Sequence, residues 1–215
     1  MPTYQWLTKY GIVAILRGDY APHIFSLADA LFAGGIRVLE VTLNSPGALA
    51  LIAQLRKAYA EKMWIGAGTV VEPDQVDAVA DAGGEFIVSP DTCISVIERA
   101  LALGLEPIPG AFTPTEIRTA LRAGARFIKL FPAMPAGPTY LSHLRGPLPD
   151  VHFLPTGGVG LEEIAPFVQA GAVGFGLGSS LVPKVFEGTP AQIKQVTSRA
   201  TAFCSSLEQA RAKDA

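Results

Sequence analysis

Arg122-Ala123-Gly124-Ala125-Arg126-Phe127-Ile128-Lys129-Leu130-Phe131-Pro132 holds, in one stretch, the end of a helix, a glycine turn and an apolar strand. The same helix-ending phrase returns as Phe32-Ala33-Gly34-Gly35, Asp81-Ala82-Gly83-Gly84 and Gln169-Ala170-Gly171-Ala172. Glycine just past the last helical turn accepts the left-handed backbone that stops a helix, so each phrase reads as a C-cap. An apolar run follows every one of them.

Outward from that stretch, such runs recur along the chain. They are Gly11-Ile12-Val13-Ala14-Ile15-Leu16-Arg17, Arg37-Val38-Leu39-Glu40-Val41-Thr42-Leu43, Trp64-Ile65-Gly66-Ala67-Gly68-Thr69 and Phe86-Ile87-Val88-Ser89-Pro90. Then come Pro107-Ile108-Pro109-Gly110-Ala111, Phe127 to Pro132, Phe153-Leu154-Pro155-Thr156-Gly157-Gly158 and Val173-Gly174-Phe175-Gly176-Leu177-Gly178. Near-continuous apolar strands belong to a parallel sheet covered on both faces, where alternation with polar residues is lost. One strand and one helix per repeat of about twenty residues predicts an α/β fold, the (β/α)8 TIM barrel. A doubly wound open sheet competes, but it would have fewer strands and a reversal of strand order.

Between the runs lie amphipathic stretches. One covers about residues 21–33, and another starts near Ser45-Pro46, with Ser as N-cap and Pro at the first helical position. A further helix, about residues 191–210, packs outside the barrel. Residues 1–215 read as a single domain, which suits one large core of this length.

Composition excludes several classes. Apolar residues are 49% of the chain and charged ones 17%, so core material is ample and disorder is not expected. A formal net charge of −2 without any basic run argues against nucleic acid as a partner. The longest apolar runs are broken by Gly, Pro or charge and are too short to cross a bilayer, so no membrane partner is expected. Met1-Pro2-Thr3-Tyr4-Gln5-Trp6 carries no basic segment leading into an apolar one, so no secretory signal is read there. Two cysteines, Cys93 and Cys204, make neither a disulfide framework nor a structural zinc site. A reducing, cytoplasmic setting fits all of this.

A barrel gathers its chemistry at the C-terminal ends of its strands. The polar residues there are Arg17, Glu40, Thr69, Ser89, Lys129, Thr156 and Ser179. Lys129 stands among large apolar neighbours. A lysine at a strand edge would snorkel to water, but mid-strand in a barrel offers no such route. Desolvation lowers a lysine's pKa and frees the amine to attack a carbonyl carbon. Glu40 is an acid within an apolar strand: either half of a structural ion pair or, beside a Schiff-base lysine, a group that moves protons.

Thr156-Gly157-Gly158-Val159 leads out of strand seven toward a helix near Leu161, and Gly176-Leu177-Gly178-Ser179-Ser180 closes strand eight into a short helical segment. These glycines either serve tight turns alone or expose N–H groups to an anion. The loops after strands seven and eight are where barrels of this kind hold phosphate. Gly174-x-Gly176-x-Gly178 is not a dinucleotide fingerprint, since it sits at the last strand with no further βαβ unit. His23, His143 and His152 lack a second ligand at metal spacing, so no metal is expected. Cys93, near a helix start, reads as a buried, inert thiol rather than an activated one.

With these residues in place, the chain resembles the 2-keto-3-deoxy-6-phosphogluconate / 4-hydroxy-2-oxoglutarate aldolase family, class I enzymes. The resemblance runs from about Gly11 to Val182. It rests on Glu40-Val41-Thr42-Leu43, Gly66-Ala67-Gly68-Thr69-Val70, Val88-Ser89-Pro90, Pro107-Ile108-Pro109-Gly110, Phe127-Ile128-Lys129-Leu130-Phe131-Pro132 and Pro155-Thr156-Gly157-Gly158 in combination. It implies that Lys129 forms an imine with the keto carbon and that Glu40 moves protons. It also implies that Thr69 and Arg17 hold the carboxylate, with Pro90 and Phe131 shaping the pocket. Gly157, Gly158, Gly178 and Ser179 would hold a distal phosphate. The implied reaction is reversible cleavage of a 2-keto-3-deoxy-6-phospho sugar acid to pyruvate and glyceraldehyde 3-phosphate, with no cofactor, in a homotrimer.

One departure bears on the substrate. After Glu40-Val41-Thr42-Leu43 the gluconate-type enzymes usually carry Arg, where this chain has Asn44. Leu43-Asn44-Ser45-Pro46 and Gly137-Pro138-x-Tyr140 resemble the sister 2-keto-3-deoxy-6-phosphogalactonate aldolases instead. Thr156 is the gluconate-type residue, placed by the resemblance near the substrate C4 hydroxyl, so both epimers stand. Two rival readings keep the phosphate turns: a barrel isomerase or epimerase without Schiff-base chemistry, and a non-catalytic phosphosugar sensor. Neither has a use for a buried Lys129 opposite Glu40.

Overall fold

Nine short strands alternate with nine α-helices in residues 4–214, the part of the chain described by the computed structural model. Met1-Pro2-Thr3, part of the segment inspected above for a secretory signal, and Ala215 lie outside the described residues. The order is α1 (Tyr4–Tyr10), β1 (Ile12–Leu16), α2 (Ile24–Ala33), β2 (Val38–Thr42), α3 (Ala48–Tyr59), β3 (Trp64–Gly68), α4 (Pro73–Asp81) and β4 (Phe86–Val88). After α5 (Ile94–Ala102) come β5 (Glu106–Ile108), β6 (Gly110–Ala111), α6 (Pro114–Arg122), β7 (Phe127–Leu130) and α7 (Gly137–Arg145). The chain ends with β8 (His152–Pro155), α8 (Ile164–Gln169), β9 (Phe175–Leu177) and α9 (Pro190–Asp214).

Every strand pairing is parallel. Six strands form one curled sheet in the order β5-β4-β3-β2-β1-β9, and three form another in the order β6-β7-β8. The α/β class stands, but eight strands in one closed ladder do not appear among the described residues. The reason is local. Pro109 has no N–H to donate, so the fifth run divides into β5, paired with β4, and β6, paired with β7. The Pro109 carbonyl still accepts from the Lys129 N–H at 2.9 Å. At the other seam, β8 meets the β9 segment only at the isolated bridges Phe153↔Ala172 and Thr156↔Gly176.

Helix ends follow their caps. Thr113 accepts from the Glu116 N–H at 3.4 Å while the Glu116 carboxylate accepts from the Thr113 N–H at 2.7 Å, a reciprocal cap that starts α6 at Pro114. The Ser45-Pro46 start predicted for α3 is corrected: the helix begins at Ala48 behind Gly47, whose φ of +66° L side chains avoid. Ser45 is instead drawn into a buried hydroxyl network. The helix expected near Leu161 begins at Ile164, and the last helix is longer than about 191–210, packing along α2 and α8.

Side chains alternate along each strand, so one face meets the helices and the other faces inward. Toward the helices lies the larger core, with Leu39, Ile65, Ile128 and Phe153. The inner core is Val13, Val38, Trp64, Phe86, Val88, Ile108, Phe127 and Leu154, with Trp64 and Phe86 rings 4.3 Å apart. Helix α1, not foreseen in the sequence, adds Leu7 to this inner set. Bulk therefore fills the inside near the strand starts, and the polar residues on the inner face come at their ends. No helix among the described residues is long and apolar enough to cross a membrane.

Candidate active site

Beyond the inner core lie two adjoining spaces. The larger, about 430 Å³, is lined by Ile15, Arg17, Tyr20, Lys129, Phe131, Thr156, Gly157, Gly158, Gly178, Ser179 and Lys184, among others. The smaller is a chamber of about 10 Å³ between Val13, Glu40, Val88, Ile108, Lys129, Leu154, Thr156 and Gly176. Lys129, Thr156 and Gly176 border both. The amine therefore stands where the open cavity meets the buried interior.

The register sets this position. Lys129 pairs with Gly110 on one side and Leu154 on the other, while Glu40 pairs with Ile15 and Gly66. Glycines keep the inside hollow at this level. A Cβ on Gly68 would fall 1.8 Å from Glu40 Oε1, and one on Gly176 would fall 2.4 Å from Thr156 Oγ1. Lys129 is 5% exposed and its Nζ stands 4.8 Å from the centre of the Phe131 ring.

Burial pushes the Lys129 amine below the ordinary lysine range; the Glu40 carboxylate opposes this and the Arg17 guanidinium adds to it. Burial pushes the Glu40 carboxyl up, against the pull of Lys129 and Arg17. Burial thus disfavours the charged form of each group, while each opposes that effect on the other. No salt bridge to Glu40 forms among the described residues, and Glu40 Oε1 has no hydrogen-bond partner there. Glu106, another acid 2% exposed, is treated differently: Arg126 grips both its oxygens. A buried acid kept for structure is paired in this molecule. Glu40 is left free to exchange a proton.

Arg17 extends from the end of β1, with its Nη2 3.5 Å from Thr69 Oγ1. Thr69 adopts φ +60°, a left-handed backbone that a β-branched residue takes only under constraint. Thr69 and Pro90 line neither space; Thr69 reaches the cavity through Arg17, and Pro90 abuts Gly110, where a Cβ would lie 2.3 Å from the Pro90 carbonyl. Ser89, also at a strand end, is buried with its hydroxyl unpartnered and lines neither space.

At the far side of the cavity, Gly157 (φ +96°) and Gly158 (φ +81°) form a turn closed to other residues. After β9, the Leu181 and Val182 N–H groups both donate to the Gly178 carbonyl, at 2.9 and 2.8 Å, making a single helical turn. Among the described residues the N–H groups of Gly158, Ser179 and Ser180 donate to no protein acceptor. Unpaired donors on two facing turns suit an anion.

Sequence reasoning missed Tyr20, Ser180 and Lys184, all on the cavity wall. Tyr20 is buried, and its hydroxyl donates to the Pro183 carbonyl at 2.9 Å. These residues sit in segments without periodicity, and only the long-range closure of the chain brings them to the site. Among the described residues no three His, Cys, Asp or Glu side chains gather as a metal site would require.

Comparison with known proteins accords with this geometry. The profile of the KDPG and KHG aldolases matches residues 4–196. A 2-dehydro-3-deoxy-6-phosphogalactonate aldolase of Escherichia coli is 42% identical over 82% of this chain and 87% of its own. A 2-dehydro-3-deoxy-phosphogluconate aldolase of Pseudomonas aeruginosa is 36% identical over 88% and 87%. A native KDPGal structure superposes with a TM-score of 0.88 at 37% identity, over 95% of this chain and 97% of that one. The KDPG aldolase of Legionella pneumophila, solved with pyruvate captured at low pH as a covalent carbinolamine, superposes at 0.85 with 29% identity, over 94% and 98%. The chain belongs to the KDPG and KHG aldolase family, and it is an aldehyde-releasing carbon–carbon lyase.

Proposed function

We propose that this chain is a class I aldolase that reversibly cleaves a 2-keto-3-deoxy-6-phospho sugar acid, of gluconate or galactonate type, to pyruvate and glyceraldehyde 3-phosphate. One observation carries the reading: a buried Lys129 stands between an open cavity and an unpaired Glu40. The carbinolamine with pyruvate in the Legionella relative supports it.

The Lys129 amine, whose charge burial disfavours, attacks the keto carbon in its free form; the carbinolamine hydroxyl takes a proton from the Glu40 carboxyl and leaves as water, giving a protonated imine. The Glu40 carboxylate left by that step accepts the C4 hydroxyl proton, directly or through water. The C3–C4 bond then breaks, its electron pair flows into the imine as an enamine, and C4 leaves as the aldehyde. Glu40 returns the proton to C3, and hydrolysis of the new imine releases pyruvate. Arg17, backed by Thr69, holds the carboxylate; Phe131 bounds the pocket, Pro90 shapes it from behind the wall, and Thr156 faces the C4 hydroxyl. Gly157, Gly158, Gly178 and Ser179 hold the phosphate, and the Lys184 ammonium adds charge on that wall.

Around this site, the two sheets act as one eight-stranded barrel, β5 and β6 serving as one strand across Pro109. The bond from the Lys129 N–H to Pro109 and the Thr156↔Gly176 bridge support closure. The same reading takes residues 1–215 as one domain, working as a cytoplasmic homotrimer.

Borohydride reduction in the presence of pyruvate tests the chemistry. The expected outcome is one reduced pyruvate adduct by intact mass, mapped to Lys129, with kcat/KM of Lys129→Met down more than about 1,000-fold. Folded protein that traps no adduct overturns the Schiff base and returns the isomerase reading.

A further inference from the structure

Arg17 is the exposed tip of a β1 end whose own backbone is clamped on both sides. The Gly18 N–H donates to Ser45 Oγ at 3.1 Å, Ser45 Oγ lies 2.9 Å from Thr42 Oγ1, and Thr42 Oγ1 donates to the Leu16 carbonyl at 3.3 Å. Each hydroxyl has one proton. Thr42 spends its proton on Leu16, so Ser45 must donate to Thr42, and Ser45 Oγ is then free to accept from Gly18. The chain of bonds has one direction, from the residue after Arg17 to the residue before it. Tyr20 stands beside this root without bonding it, since its one hydroxyl proton goes to the Pro183 carbonyl at 2.9 Å and the Arg17 carbonyl lies farther off, at 3.4 Å.

Thr42 is fully buried and Ser45 is 7% exposed, so these bonds are shielded from competing water. Neither hydroxyl lines the cavity. Their backbone partners are Leu16 and Gly18, the two residues that flank Arg17.

We infer that Ser45, relayed through Thr42, is a positioning residue that fixes Arg17 for the substrate carboxylate. This rests on Arg17 being the carboxylate-binding group, as read above. A long guanidinium held, among the described residues, by one 3.5 Å hydrogen bond to Thr69 needs a rigid root to present its donors in one place. Ser45, the turn residue that fails to cap α3, supplies that root.

The test is steady-state condensation of pyruvate with glyceraldehyde 3-phosphate. Ser45→Ala should raise the KM for pyruvate on the order of ten-fold with little change in kcat, and Ser45→Thr should restore it. Thr42→Val, which breaks the relay one bond further along, should reproduce the rise. The deciding arm is the pair Arg17→Ala and Arg17→Ala/Ser45→Ala: once Arg17 is gone, losing Ser45 should raise the KM no further. A ten-fold loss persisting in the Arg17→Ala background means general loosening and overturns the clamp. A silent Ser45→Ala beside an impaired Arg17→Ala overturns the clamp while leaving Arg17 in the site. An Arg17→Ala enzyme with unchanged KM for pyruvate removes Arg17 from the site, and the clamp's purpose with it.

Discussion

The two ends of the same strands are made of opposite materials. Near their starts the inner face carries Trp64, Phe86 and Phe127 with Leu7 set against them, all 1% exposed or less. Near their ends it carries Gly66, Gly68, Gly110 and Gly176, and the charged groups Lys129 and Glu40. Two residues along one strand separate Phe127 from Lys129, and Trp64 from Gly66. Large rings close one end by packing; the missing side chains at the other leave room for a substrate and keep two charges from being buried in solid hydrocarbon. Stability and chemistry are thus stacked on a common backbone, and each can be damaged separately.

The largest effect belongs to the closed end. Phe86→Ala empties a fully buried ring site and should cost about 3–5 kcal/mol, lowering the unfolding midpoint by roughly 10 °C. Thermal unfolding followed by circular dichroism reads the loss. At temperatures where the variant is folded, its kcat/KM should stay within about threefold of the parent. A hundred-fold loss in the folded variant would mean that the two ends are mechanically coupled.

At the open end, Gly68→Ala adds one carbon facing the Glu40 carboxyl. The three atoms it would crowd most all belong to the Glu40 side chain (Oε1, Cδ and Cγ at 1.8, 2.5 and 2.7 Å), with no backbone among them, so the Glu40 side chain must move while the strands keep their places. The expected result is a kcat down on the order of 100-fold, with borohydride still trapping pyruvate on Lys129. This dissociates imine formation from proton transfer. A kcat unchanged by Gly68→Ala would remove Glu40 from the proton path.

How far this division was legible in the sequence depends on the range of the contacts. Phe127-Ile128-Lys129-Leu130 announced a strand buried on both faces with a charge that had nowhere to go, and local pattern sufficed for that. The pairing of Glu40 with the same interior also followed, since both sit near the ends of parallel strands. Pro109 was visible but its consequence was not: whether a missing N–H divides a strand depends on which neighbour would have accepted from it. Helix α1 is too short for periodicity to reveal, yet it delivers Leu7 to the inner core. Ser45 before Pro46 has the pattern of an N-cap, and only the distant Gly18 N–H shows that its oxygen is engaged elsewhere. Tyr20 and Lys184 are far apart in the chain and enter the cavity wall only when β9 pairs with β1.

The smallest effect is the most specific to the open end, and it concerns the titration of Lys129. Imine formation needs the free amine, so its rate should climb with pH and level off above a pKa lying below the ordinary lysine range. Two neighbours act on that pKa with opposite sign. The Glu40 carboxylate favours the ammonium, so in Glu40→Gln the amine should lose its proton more readily and the rising limb should move to lower pH. The Arg17 guanidinium disfavours the ammonium, so in Arg17→Met the limb should move to higher pH. Stopped-flow borohydride trapping with pyruvate, run across pH, measures the limb without requiring the cleavage step that Glu40→Gln impairs. Opposite displacements in the two variants mean that the open end tunes its nucleophile by balanced charges. A limb that stays put in both means that burial alone sets it, and the two charges then act on the substrate rather than on Lys129.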